Sequence, residues 1–393
     1  MKTRVLVLDQ HCYWGGGQRV LKTVLDSLRD QIEPLVALPG TGPLGADLER
    51  DGLETCTYPL GHYRSGAKSA ADMLAYGPRS VYAALRLADL ISRRKMELVY
   101  INGPRCLPAG VLAAWLTGRP SLFCLHQTLS RRPEIAVVSR FAKSVSRVLA
   151  CSQAAAGSLL RARPALAEKV SVLHYPVSEL CAETPCPAPE AKFAGLTIGM
   201  VGRITRAKGL HVSLAALARL NAPARLIIVG EPAPGNRQDA SYLLELRSIA
   251  ARQASNVVWA GYHPDPSSCY SVMDVLVVAS TSEWKEGLPL VALEALQRGI
   301  PVVASCLGGL PEIVKDGANG LLVPPGDAEE LARALGRLAR DPQLLARLGA
   351  GARASIDDRF SKTAYCSAIA RVIRELCVGP SPAVAPVLPL SEG

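Results

Sequence analysis

The sequence predicts an α/β chain made of two successive parallel-sheet units, and three observations lead there. At 393 residues the chain exceeds the roughly 100 to 200 residues that one core serves, so more than one compact unit is expected. Short apolar runs alternate with helix-like runs through both halves, the pattern of strand–helix–strand crossovers that a parallel sheet needs. Between the halves, residues 183–193 read ETPCPAPEAKF, proline-rich and without an apolar period, which marks a linker.

In the first half, residues 5–8 form the opening strand. A loop then carries Gly15, Gly16 and Gly17, and residues 18–28 read as a helix. Further strands are expected at 34–38, 98–101, 122–125 and 148–151, with helices at 80–93 and 153–160. In the second half, a strand beginning at Leu196 ends in Gly202, followed by a helix at 210–220, a strand at 225–229, a helix at 242–252 and a strand near Val257. Strands at 275–278 and 301–304 continue that sheet, helices span 289–298 and 328–339, and a last helix occupies 364–377. The expected organisation is therefore a domain over 1–182, the linker 183–193, a domain over 194–360, a helix at 361–378 returning to the first domain, and a proline-rich, unstructured tail at 379–393.

Composition narrows the function classes. Hydrophobic residues make up 49% and charged residues 20%, which excludes a disordered chain. The longest apolar candidate, residues 109–116, is interrupted by Thr117, Gly118 and Arg119, far short of the roughly 18 residues of a membrane span. Residues 1–9 read as a strand rather than a signal peptide, so a cytoplasmic protein is expected. Eleven cysteines without a C-x-x-C pair predict reduced thiols, with neither disulfide nor zinc. Of the net charge of +10, residues 1–180 carry most, with 23 Lys and Arg against 14 Asp and Glu. A basic first half suits an anionic acceptor or peripheral contact with an anionic inner membrane face. Arg93, Arg94, Lys95, Arg131, Arg132, Arg140, Lys143 and Arg147 are the residues expected to make that contact.

The most specific stretch runs from Glu286 to Asp327, EGLPLVALEALQRGIPVVASCLGGLPEIVKDGANGLLVPPGD. Glu286 and Glu294 stand eight positions apart, followed in order by Gly299, Pro301, Gly308, Gly309, Pro311, Glu312 and the turn Pro325, Gly326, Asp327. The segment resembles glycosyltransferase family 4. Upstream, Val201, Gly202 and Arg203 followed by Lys208 and Gly209 are similar to that family's V-G-R and K-G, and Gly15, Gly16, Gly17 before Gln18 and Arg19 to its G-G entry into the first helix. One departure is Pro289, where the family usually has glycine. Another is the run from His174 to Ser178 in place of N-G-V-D.

The resemblance implies the GT-B fold, two Rossmann-like domains with parallel sheets facing across a cleft. It also implies a retaining transfer of a hexose-type sugar from a nucleotide diphosphate donor to a hydroxyl, without cofactor or metal. Arg203 and Lys208 would meet the charge of the departing diphosphate, Glu286 the donor sugar, and Glu294 the ribose hydroxyls. Gly16, Gly17 and Gly202 would allow close backbone approach. Gly287, Leu288, Pro289 and Leu290 would form the donor loop and the first turn of the following helix. His126, closing the strand 122–125, would act as neutral imidazole toward the sugar. Each residue also has a plainer reading, as a solvated helix-end carboxylate, a surface cation or a structural histidine. Rival functions are a nucleotide-sugar epimerase of the same fold, a nicotinamide-dependent oxidoreductase, and a basic nucleic-acid-binding protein. The oxidoreductase is disfavoured because G-x-G-x-x-G is missing, and no nucleic-acid motif accompanies the charge.

Overall fold

The computed structural model describes residues 2–61, 70–177, 193–253, 256–263, 265–282 and 286–378. Most of the expected linker and the tail 379–393 lie outside them. The chain divides into two compact units, Met1–Pro176 with Arg359–Gly393, and Val177–Asp358.

The first unit runs β1 (Thr3–Asp9), α1 (Gly16–Ser27), β2 (Ile32–Leu38), α2 (Pro43–Arg50), β3 (Glu54–Thr57), α3 (Ala70–Arg94), β4 (Leu98–Asn102), α4 (Leu107–Leu116), β5 (Ser121–Leu125), α5 (Arg132–Ala142), β6 (Arg147–Ala150), α6 (Gln153–Ala162) and β7 (Val170–Val172). The strands form one parallel sheet ordered β3-β2-β1-β4-β5-β6-β7. The middles of its central strands are continuous apolar runs because helices cover both faces, and Leu6, Leu8, Leu98 and Phe123 are fully buried.

The second unit repeats the plan with β8 (Leu196–Val201), α7 (Leu210–Arg219), β9 (Ala224–Val229), α8 (Arg237–Arg252), β10 (Val257–Gly261), α9 (Ser267–Tyr270), β11 (Val275–Val278), α10 (Leu290–Gln297), β12 (Val302–Ser305), α11 (Leu310–Ile313), β13 (Gly320–Val323), α12 (Ala328–Arg340) and α13 (Pro342–Ala354). Its six-stranded sheet is ordered β10-β9-β8-β11-β12-β13. The helix α12 is a clear amphipathic case. Asp327 caps it by accepting from the Glu329 and Glu330 amides, and Leu331, Leu335 and Leu338 enter the core at helical spacing. Helix α14 (Lys362–Val378) belongs to the first unit, where Cys366 Sγ approaches the Thr23 carbonyl of α1 at 3.9 Å.

Three local readings are corrected. Helix α3 begins at Ala70 rather than Ser80 and carries Pro78 inside it. A proline there forfeits one backbone hydrogen bond, and the helix continues beyond it with Ala83, Ala84, Leu87 and Ile91 buried. Its early turns are also tied down, since Tyr76 Oη donates to the Arg105 carbonyl at 2.7 Å. Helix α1 starts at Gly16 with Gly15 as its cap, so Gly16 and Gly17 are helical rather than loop residues. Pro289 caps α10 with ψ 114°, and the helix starts at Leu290. Its fixed φ suits either position.

The strand ends of the second unit rely on glycine. Gly202 and Gly230 have φ of 137° and 144°, and a Cβ at Gly230 would lie 1.9 Å from the Gly202 carbonyl oxygen. Gly230→Ala is therefore expected to cost at least about 3 kcal/mol of unfolding free energy, from strain and steric clash together. Gly235, with φ 72° and open space around it, should lose only about 1 kcal/mol on the same change. Urea midpoints of the two variants check this; equal losses would show that the close approach at Gly230 is readily relaxed.

Candidate active site

In each sheet the strand order reverses once, between β1 and β4 and between β8 and β11. Helices leave the two strands for opposite faces at such a point, opening a crevice outside their carboxyl ends where ligands bind. Gly16, Gly17, Gly202, Arg203, Lys208 and Glu286 lie on segments that follow β1, β8 and β11, while His126 closes β5 and Glu294 lies on α10.

In the second unit, the chain leaves β8 at Gly202, passes Arg203, makes a single 3-10 turn over Arg206–Lys208 and enters α7 at Gly209. Gly209 has φ 69°, and a Cβ there would lie 1.8 Å from the Ala279 carbonyl oxygen. Glycine thus lets this turn lie directly on the end of β11, and the Thr281 amide donates to the Ala207 carbonyl at 2.9 Å. That contact sets Lys208 against Glu286, Nζ to Oε1 2.5 Å. Ser280 Oγ donates to the same oxygen at 2.9 Å. Glu286 is only 7% exposed, and a buried carboxylate deprived of such partners is costly.

The Gly308 and Gly309 pair has a local explanation. A Cβ at Gly308 would stand 2.1 Å from the Glu286 carbonyl oxygen, and the Gly309 amide donates to that oxygen at 3.1 Å. These glycines seat the Glu286 backbone. Gly287, Leu288, Pro289 and Leu290 follow as a buried stretch into α10.

Glu294 lies about one turn into α10, is 4% exposed, and accepts a hydrogen bond on Oε2 from Tyr270 Oη at 2.7 Å. The Arg298 guanidinium stacks 5.3 Å from the Tyr270 ring centroid. It also donates to the Glu294 carbonyl at 3.1 Å and to Ser267 Oγ at 3.3 Å. Arg203 is half-buried, and its charge acts on Asp239 at the start of α8. Burial pushes the Asp239 carboxyl up, and Arg203 partly offsets this.

In the first unit, the register pairs Asp9 with Asn102 at the ends of β1 and β4. Asp9 is fully buried and accepts from Asn102 Nδ2 at 2.6 Å, Gln18 Nε2 at 2.9 Å and the His11 amide at 2.8 Å. Burial pushes its carboxyl up to about 6, against the lowering effect of these bonds. The carboxylate fixes the Asn102 amide nitrogen toward itself, so Asn102 Oδ1 faces His126 Nε2 at 2.5 Å. His126 therefore carries its proton on Nε2, and Nδ1 accepts from Tyr175 Oη at 2.5 Å. Burial lowers this imidazole to about 4, so it is neutral near pH 7. Both ring nitrogens of His126 have partners within the chain. Gly17 contributes room, since a Cβ there would lie 3.3 Å from the imidazole. Gly16 beside it is exposed.

Sequence reading missed Asp9, Asn102, Tyr175, Tyr270, Ser280 and Arg298. Asp9, Asn102 and Ser280 could have been found as polar residues closing apolar strands. Tyr175, Tyr270 and Arg298 carry no such signal.

Sequence profiles for Glycosyltransferase Family 4 and for Glycosyl transferases group 1 match residues 14–179 and 191–355. The class of protein is a glycosyltransferase with a fold of the GT-B type, and the chain belongs to glycosyltransferase family 4. It is 27% identical over 321 residues to the MMP alpha-(1->4)-mannosyltransferase of Mycolicibacterium hassiacum, across 74% of this chain and 75% of that protein. It is 32% identical over 256 residues to the D-inositol 3-phosphate glycosyltransferase of Streptomyces bingchenggensis, across 60% of this chain and only 54% of that one. The crystal structure of Anabaena HepE in complex with UDP-glucose superposes with TM-score 0.79 at 25% identity, covering 95% of this chain and 99% of that one.

Asp9 and His126 give opposite pH signatures. Asp9, raised from 3.8, contributes stability that is full below its unfolded value and lost as pH rises through about 6. His126, lowered from 6.5, contributes stability present above its unfolded value and lost as pH falls through about 4. Relative to the parent protein, Asp9→Asn should therefore gain stability as pH rises from 4 to 6, and His126→Gln should lose it over the same interval. Urea unfolding at several pH values reads this difference; offsets that do not change with pH would contradict the assigned shifts.

Proposed function

We propose that this chain is a retaining hexosyltransferase that takes a sugar from a nucleotide diphosphate donor held at the β8/β11 end of the second unit and passes it to a hydroxyl acceptor. The observation that carries this is the Lys208, Ser280 and Glu286 cluster at the strand-order reversal, with Arg203 on the loop leaving β8. UDP-glucose, bound by Anabaena HepE, is the first donor to try.

In the proposed reaction the bond from the anomeric carbon to the phosphate oxygen breaks, with its electron pair going to the phosphate. The acceptor oxygen bonds to the anomeric carbon on the same face, and its proton passes to the departing phosphate. Fixed cations that are present before the charge develops lower such a barrier without reorganising. Arg203 and Lys208 fill that role, so turnover needs no metal. Glu286 addresses the sugar and keeps Lys208 in place, and Glu294, oriented by Tyr270, addresses the ribose. The basic first half, with the resemblance, favours an anionic or lipid-linked acceptor.

Arg203→Ala and Lys208→Ala should each lower kcat about a hundredfold, and chelator should leave the parent activity unchanged. Lys208→Met also strands a buried carboxylate, so a fall in stability accompanies it. Adding Glu286→Gln to that variant should restore stability but not turnover. Recovery of turnover in the double variant would reduce the pair to a structural ion pair. Glu294→Ala should weaken nucleotide binding in calorimetry by about tenfold or more; unchanged affinity would remove its ribose assignment.

A further inference from the structure

Among the described residues, all but one of the large exposed apolar side chains of the first unit lie on two adjacent helices: Leu74 at 79%, Val81, Tyr82 and Leu85 on α3, and Trp115 at 74% and Leu116 on α4; the other, Val378, ends α14. Both helices return the chain to parallel strands of one sheet, so they run in the same direction. The hydrogen bond from Tyr76 to the Arg105 carbonyl ties the turn before α4 to α3.

Residues 74, 78, 81 and 85 fall on one stripe of α3, and Arg79, Arg86 and Arg93, all exposed, follow one flank of it. Their seven-residue spacing stacks them about 10 Å apart along the helix axis. The acidic groups of α3 are Asp72 and Asp89, and Asp89 pairs with Arg93 at 2.8 Å. Helix α4 carries no charge, and exposed Arg119 follows it. Among the described residues no helix is long and apolar enough to cross a membrane.

We infer that α3 and α4 form a docking face for an anionic lipid bilayer. An apolar stripe flanked by arginines matches the acyl boundary and the phosphates above it, and Tyr82 and Trp115 are the residue types that favour the interface itself. A protein partner would call for acidic groups facing each arginine, whereas a phosphate layer supplies them wherever the helix lies. The inference goes beyond the proposed transfer reaction and does not depend on the donor. It also relocates the membrane contact. Of the cations first assigned to it, Arg93 lies in the row on α3 and Arg94 ends the same helix, and the others are on neighbouring segments of the same unit.

The test is sedimentation of the full chain with vesicles of phosphatidylcholine alone or with phosphatidylglycerol added, at low and physiological salt. Trp115 emission is followed in parallel with brominated lipid. Binding should require phosphatidylglycerol and weaken with salt. It should fall about a hundredfold at low salt in the Arg79→Gln, Arg86→Gln, Arg93→Gln variant. The Val81→Ser, Leu85→Ser variant, unchanged in charge, should lose about tenfold. Brominated lipid should quench emission in the parent protein and much less in Trp115→Phe. Binding untouched by both sets of substitutions, without Trp115 quenching, would overturn the inference. So would self-association without vesicles that the serine variant abolishes, or binding that appears only when residues 379–393 are deleted, since each assigns the face another occupant. Donor turnover on a soluble acceptor, measured alongside, shows whether the transfer reading stands independently.

Discussion

The constraint on which the rest depends is the single reversal of strand order in each sheet. A parallel sheet buries both faces and leaves its chemistry to the ends of its strands. In the first unit the reversal brings Asp9 and Asn102 into register on adjacent strands. In the second it brings the loop after β8 against the end of β11, where Lys208, Ser280 and Glu286 meet. Glycine makes the second arrangement possible: side chains at 209 or 308 would occupy the space of the backbone on which those residues rest.

The two reversals hold their buried carboxylates differently. Asp9 is surrounded by neutral donors and pays for burial with a raised pKa of about 6. That environment suits a group that positions Asn102 and, through it, the tautomer of His126. Glu286 has a lysine at contact distance. A largely buried ion pair is seldom the most stable choice of residues, and this one lies at a strand-order reversal, the place where sheets of this kind bind ligands.

The repeating alternation of strands and helices was legible because an all-parallel sheet writes its central strands as continuous apolar runs, as in β1, β5, β9 and β11. Elements with weaker patterns were missed. Strand β3, Glu54–Thr57, is an edge strand without a buried residue, and α13 holds two glycines in its interior. Part of the second unit's candidate site was legible because Gly202, Arg203, Lys208, Glu286 and Glu294 lie in two short segments, whereas Tyr270, Ser280 and Arg298 lie outside both. The first unit's was not, since Asp9, Asn102, His126 and Tyr175 converge from four distant positions, and their meeting follows from strand order rather than from any local spacing. Gly308 and Gly309 were visible, whereas their task of seating Glu286 required coordinates.

The central claim is that a nucleotide sugar binds where the second sheet reverses its order. Hydrogen–deuterium exchange of the full chain, with and without the donor that stabilises it most, locates that binding directly. The account predicts slowed exchange over residues 202–210 and 286–294, including the turn that places Lys208 against Glu286. Protection that bypasses both segments, in a protein demonstrably saturated with donor, would contradict it.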